Sequence, residues 1–281
     1  MRLLAFSDIH HNLEAVRGLR VLEKNSFDAV IVAGDIGSES AADIFKILMT
    51  FECPVLYVYG NWDHKLGYKK SFGANCHLIH WNAITVENIS FTGFSGCPTH
   101  WGKNPVARKL YRQVETENKS VLEALRGGIK PASRVRRTKA YEKYTSQLRS
   151  ARNEILKLNR EGIGKAIKSA EIDPSRCVIV THQRLTRLSE EAPGTLLHLF
   201  GHIHAFSEHT FKTTKYVNVA ALDRPTFVRP PISENWENEK YRTQNTGNYT
   251  IIEINSSQAI KVRCVTLERD RPIEFPRRAP T

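Results

Sequence analysis

The chain has 281 residues, 41% of them apolar, which suffices for a buried core in one large α/β domain or two small ones. No run reaches the roughly 18 apolar residues of a membrane span, and "MRLLAFSDIH" is too short in apolar residues for a signal peptide, so a cytoplasmic protein is expected. The 41 Lys and Arg exceed the 29 Asp and Glu by 12, but the excess is local: residues 101–170 hold 18 basic and 6 acidic side chains, and the remainder holds 23 of each.

In chain order, "RLLAFSD" reads as a strand, "LEAVRGLRVLEKN" as a helix, "DAVIVAGD" as a strand, "SAADIFKILMTF" as a helix and "PVLYVYGN" as a strand. This alternation implies a parallel sheet covered by helices. "AITVENISFTGFSG" follows as two antiparallel strands around a Glu-Asn turn. Residues 103–172 break the rhythm. "ARKLYRQVETENKSVLEALRGG" predicts one helix ending at Gly127-Gly128, and "SRVRRTKAYEKYTSQLRSARNEILKLNREG" a second from near Ser133 to near Gly162. Their sparse apolar positions predict one narrow packing face. Strand character returns in "RCVIVTH", "TLLHLFGHIH" and "HTFKTTKYVNVAA". "DRPTFVRPPISENWENEKYRTQNTGN" predicts a long loop, and "YTIIEIN" and "AIKVRCVTL" close the domain as strands. The expected organisation is a single domain, 1–281, with a helical insertion at about 103–172 and a tail from about 268. Five scattered cysteines, odd in number and never in a C-x-x-C pair, predict reduced thiols.

The predicted strands end in residues that bind hard or borderline metals. Asp8 and His10 follow the first strand at i, i+2, Asp35 the second and Asn61 the third, while His182 follows "CVIVT" and His202 and His204 follow "LLHLF". Ligands of open parallel sheets bind beyond the carboxyl ends of the strands, so seven N/O donors converge on one edge. That number suits two ions sharing a ligand, with Asp35 able to offer one carboxylate oxygen to each. A sulfur-free set suits manganese, iron or zinc better than calcium or copper(I).

Taken in order, "SDIHHN", "AGDIGS", "YGNWDH", "VTHQ" and "FGHIH" resemble the calcineurin-like metallophosphoesterase superfamily over about residues 1–100 and 173–267. The resemblance implies a four-layer αββα sandwich of two mixed sheets. It implies a first metal on Asp8, His10 and His204, a second on Asn61, His182 and His202, and Asp35 as the bridge. The implied activity is hydrolysis of phosphate esters by in-line attack of a metal-bridging hydroxide. Trp62 stands where many members carry a His that protonates the leaving group, which leaves His64, His11 and His100 as candidate acids. "QRLTRL" after His182 and "YVNVAALDR" also depart from the family pattern. Trp62 is either a packing residue or a platform for a base. Asp63 and His64 orient a ligand or cap a turn, and His77, His80, His198 and His209 read as structural or surface groups.

The basic helical stretch is either a solvated cap or a phosphate-backbone groove beside the metals. Its densest point, "RVRRTK", makes Arg134, Arg136, Arg137 and Lys139 candidate substrate contacts, and Tyr141 and Tyr144 share a helical face. The expected function is therefore a phosphodiesterase or nuclease acting on nucleic acid or nucleotides, with two divalent ions, Mn²⁺ foremost and Fe or Zn as alternatives. The rivals are a small-molecule phosphomonoesterase and a non-catalytic metal-binding scaffold.

Overall fold

Alternate residues of β1 (Arg2–Phe6) serve two different cores. Leu4 and Phe6 join Val16 and Leu19 of α1 (Leu13–Leu22) and Ile44 and Phe45 of α2 (Ala41–Leu48). Leu3 and Ala5 face the other way, into a core shared with Phe91, Val178, Val180, Leu197 and Leu199 of a second sheet. A strand buried on both faces must be apolar, which is why β1 beyond its first residue Arg2, β2 (Ala29–Ala33) and β3 (Val55–Val58) read as unbroken apolar runs. The computed structural model describes residues 1–96, 105–127, 129–223, 226–228, 242–244 and 248–267.

In the first sheet β1, β2, β3 and the short β4 (Cys76–Leu78) are parallel, and β13 (Tyr249–Ile254) and β14 (Ile260–Val265) add antiparallel strands beside β1. The second sheet has the order β5 (Ile84–Val86), β6 (Ile89–Phe94), β7 (Cys177–Thr181), β8 (Leu197–Phe200), β10 (Thr214–Asn218), β9 (Ser207–Phe211). Its four central strands are parallel and its two edge strands antiparallel. The far face of this sheet, through Phe94, Cys177 and Ile179, packs on Ile163 and Ile167 of α6 (Lys139–Ser169) and on Leu188 of α7 (Leu188–Glu191). The layers run helix, sheet, sheet, helix, the four-layer sandwich the motifs imply.

Among the described residues, four α-helices rather than two lie between β6 and β7. The first predicted helix divides into α3 (Pro105–Glu117) and α4 (Lys119–Arg126) at Asn118, which is buried and donates Nδ2 to Val114 O and Gln147 Oε1. The second begins as α5 (Ile129–Val135) and breaks before Thr138, whose hydroxyl accepts the Tyr141 N–H and caps α6. That helix continues through Gly162, where a stop was expected. Gly162 is there for close approach: a Cβ would lie 2.4 Å from Trp81 Nε1. Two further segments differ from expectation. "HTFKTTKYVNVAA" is a hairpin, β9 and β10, turning at Lys212 with φ 54°. The expected long loop contains an antiparallel pair, β11 (Thr226–Val228) and β12 (Arg242–Gln244). Among the described residues no helix is long and apolar enough to cross a membrane.

Candidate metal centre

The chain leaves β1, β2 and β8 through left-handed backbone at residues that are not glycine: Asp8 (φ 50°), His10 (47°), Asp35 (55°), His202 (75°) and His204 (55°). Each such residue costs of order 1–3 kcal/mol and persists only where its surroundings over-determine it. Here Asp8 N–H donates to Gly34 O (3.0 Å), and Ile9 and His10 N–H both donate to Asp35 O (2.8 and 3.1 Å). Two glycines make room: a Cβ on Gly34 would fall 2.7 Å from His182 Nδ1, and one on Gly60 would collide with Asp35 Oδ1.

These turns gather all seven predicted donors at one edge. Asp8, His10 and His204 form one group of donor atoms within 4.8 Å of one another, and Asp8, Asp35 and His182 a second. Asn61 Oδ1 lies 3.1 Å from His182 Nε2, and the His202 ring centroid lies 5.1 Å from that of His182. Asp35 Oδ2 sits 3.2 Å from His10 Nε2 and 3.3 Å from His182 Nε2, between the two groups. Its Oδ1 accepts the Trp62 N–H at 2.8 Å. A single carboxylate oxygen therefore faces both groups.

The partners behind the donors decide which atoms point inward. His182 Nδ1 donates to Ala33 O at 2.9 Å and His10 Nδ1 to Asp223 Oδ2 at 2.8 Å, so each ring turns Nε2 toward the cluster. Asp8 Oδ2 accepts the Ser7 hydroxyl and the His202 N–H, while its buried Oδ1 makes no well-aligned hydrogen bond and lies 3.3 Å from His204 Nε2. A buried, charged oxygen left without a well-aligned donor and aimed at imidazole nitrogens fits a divalent cation. Burial works against charging His10, yet the Asp223 and Asp35 carboxylates raise its pKa to about 10. The same opposition, with Asp35 and Asp8 winning, raises His182 to about 9. Burial would raise Asp35, but His182 and His10 hold it well below the usual carboxylate range.

Asp223 carries no spacing signal: it lies 213 residues from His10, just past β10, in a segment that reads only as a departure from the family pattern. Its backbone N–H also donates to Asp8 O, tying both ligand-bearing turns together. Asp63, equally readable as turn cap or orienting group, accepts N–H donors from Ile36, Gly37 and Gly60 and clamps the turns after β2 and β3. Burial, aided by the Asp35 charge, pushes its pKa up against those three donors.

Among the other predicted residues, Trp62 is 48% exposed, with its ring centroid 4.7 Å from that of His10 and 6.1 Å from that of His11. His11 pairs with Ser40 Oγ (3.0 Å) and Glu39 (3.1 Å). His64 is exposed in the turn after Trp62, and His100 lies outside the described residues. Arg134, Arg136, Arg137 and Lys139 are exposed around the α5–α6 junction and are not brought to the cluster. His80 is half-buried and His198 fully buried, and burial pushes their pKa values down to about 4 and about 3.

The family model described as Calcineurin-like phosphoesterase superfamily domain matches residues 1–233. No curated protein matches the chain at a significant level. Among solved structures, TT1561 of Thermus thermophilus is similar at 13% identity and TM-score 0.53, over 94% of this chain and 98% of that one. GAP50, the anchor in the inner membrane complex of Plasmodium, is similar at 9% identity and TM-score 0.48, over 96% and 90%. An archaeal phosphodiesterase is similar at 12% identity and TM-score 0.40, over 94% and 100%. The first of these carries the fold. The family match carries the assignment, because it spans more than half of the chain and takes in every one of the clustered donors. The chain belongs to the calcineurin-like phosphoesterase superfamily, hydrolases that act on phosphate esters.

Proposed function

We propose that this chain is a phosphodiesterase that uses two divalent ions and acts on nucleic acid or nucleotides. The observation that carries the reading is the pair of donor groups sharing Asp8 and flanking Asp35 Oδ2. In this assignment Asp8, His10 and His204 would hold one ion and Asn61, His182 and His202 the other, with Asp35 shared between them. Ions bound there supply Lewis acidity toward a phosphoryl group and lower the pKa of water toward neutrality. Manganese suits the N/O set, with iron or zinc as alternatives.

The protein's own residues then do four things. Asp223 and the Ala33 carbonyl keep His10 and His182 in the tautomer that offers Nε2 inward. Asp63 and the Trp62 N–H hold the Asp35 turn and its carboxylate in place. The exposed Trp62 face beside His10 offers a flat apolar surface to a base or aryl group next to the scissile phosphate. His11, the described candidate acid whose ring lies against Trp62, protonates the leaving oxygen.

On this reading the chain is one phosphoesterase domain with the helical stretch at about 103–172 as an insertion and a tail from about 268. Free Cys53, Cys76, Cys177 and Cys264 support a reducing, cytoplasmic setting. The test is hydrolysis of bis-p-nitrophenyl phosphate, p-nitrophenyl phosphate and labelled DNA and RNA by manganese-loaded protein. Turnover of diesters supports the proposal. Turnover of monoesters alone supports a phosphomonoesterase, and none at all by metal-loaded protein leaves a scaffold.

A further inference from the structure

α6 ends beside the amino end of β7 and runs back over the outer face of the second sheet. It reaches the level of the metal-bearing edge near Arg160, whose Nη1 donates to Thr186 O (3.4 Å), four residues past His182. The helical residues 139–159 remain N-terminal to that level, a length of roughly 30 Å at 1.5 Å per residue. α3 packs alongside: Tyr111 and Ile155 are buried with Leu110 and Leu148 against them, and Asn118 reaches Gln147. This arm has a thin core and a large surface. Residues 105–155 carry 13 Lys and Arg against 5 Asp and Glu. Of those acids, Glu117 accepts from Gln113 and Gln147 and Glu123 pairs with Lys119, while Glu142 alone sits in the first turn of α6, beside the tip. A cap built only for solubility would mix the signs; this one concentrates Arg134, Arg136, Arg137 and Lys139, all exposed, at its far end.

We propose that the α3–α6 arm is a distal anchor for duplex nucleic acid. The scissile phosphate sits at the metal cluster, and the backbone of the same duplex runs along the arm to the Arg134–Lys139 tip. The proposal rests on the phosphodiesterase reading and adds a length requirement to it. A duplex is the fitting partner because it stays straight over such a distance, its persistence length being about 150 base pairs. At 3.4 Å per base pair, the roughly 30 Å from edge to tip corresponds to about nine base pairs. Arg149, eleven residues from Arg160, lies about 16 Å along the arm, or about five base pairs.

The test is the kcat/KM of manganese-loaded, full-length protein on DNA duplexes of 6, 12 and 24 base pairs, with bis-p-nitrophenyl phosphate assayed in parallel. Wild-type kcat/KM should rise between 6 and 12 base pairs and then level off. R134Q/R136Q/R137Q should flatten that rise, whereas R149Q/R152Q should already lower the value at 6 base pairs. Removing three phosphate contacts should reduce the log–log salt slope on the 24-mer by about 2.7, so the loss between 50 and 200 mM salt shrinks by about 40-fold. Diester turnover without any dependence on duplex length overturns the arm while sparing the phosphodiesterase reading. Equal effects of both variants at every length also overturn it, because they indicate undirected charge attraction. Failure to turn over bis-p-nitrophenyl phosphate as well removes the phosphodiesterase reading, and the anchor with it.

Discussion

The metal-bearing edge and the α3–α6 arm are built on opposite terms. At the edge, Asp8 and His182 are fully buried, the backbone is held left-handed at five donor residues, and His10, His182, Asp8 and Asp35 are each held from behind by another group. On the arm, the shared core is small, built on Tyr111, Val114, Val121, Ala151 and Ile155, and the outer face carries solvated charge. The edge invests strain and buried polarity in placing a few atoms to within tenths of an ångström, as chemistry at one phosphate requires. The arm has long, mobile side chains on a stiff support, which suits recognition of a repeating charge. Substitutions at the edge should therefore act on metal binding and turnover with every substrate, and substitutions on the arm only with extended ones.

The sharpest way to break that contrast is Asp35→Asn. Losing the carboxylate between the two groups should remove at least one ion and lower diester turnover by about 10³-fold, the upper end for a single electrostatic stabiliser. Metal analysis beside a turnover assay checks this, and an active variant with full metal content would contradict it. Next comes His11→Ala. If His11 protonates the leaving oxygen, natural diesters should slow by about 10²-fold and nitrophenyl esters, whose leaving group needs no acid, should hardly change. Equal slowing of both would assign His11 a supporting role through Ser40 and Glu39 instead.

Asp223→Asn should weaken manganese binding by about 10- to 100-fold, the usual cost of losing the group that orients a metal-binding His. Calorimetric titration reads it directly, and an unchanged affinity would mean that Asp223 serves the backbone alone.

The same edge predicts a pH dependence. His10 at about 10 and His182 at about 9 lie above the ordinary His value of 6.5. Their protonation stabilises the metal-free fold fully below about pH 6.5, and that contribution is lost as pH rises through 9 and 10. Metal-free protein should therefore lose thermal stability over that interval, while manganese affinity rises as competing protons leave. A metal affinity flat from pH 6 to 9 would contradict these assignments.

The smallest effect tests the joint between the two regions. Gly162→Ala would normally stabilise a helix, but the added methyl meets Trp81 at 2.4 Å, so a loss of about 1–3 kcal/mol is expected in denaturant titrations. A stabilised variant would show that the Trp81 ring can move away from the arm's base.

The edge was legible in the sequence because its donors sit at strand ends, where short apolar runs stop at Asp, Asn or His and topology alone brings them together. Asp223 was not: its role depends on a turn that follows β10 and returns to His10, and no local spacing records that contact. The Trp62 N–H on Asp35 Oδ1 was not legible for a similar reason, since it comes from another strand end. On the arm, charge and helix content were readable, but the break at Asn118 depends on Gln147 across the pair, and the continuation through Gly162 depends on Trp81. Local pattern reports what a residue prefers, and tertiary contact decides whether that preference is used.

The central claim, that this edge would hold two divalent ions with Asp35 shared between them, is tested most directly by counting manganese bound per chain at neutral pH in wild type and Asp35→Asn. The account predicts two ions in the wild type and fewer in the variant. No bound manganese in folded wild-type protein, or two ions retained in the variant, would contradict it.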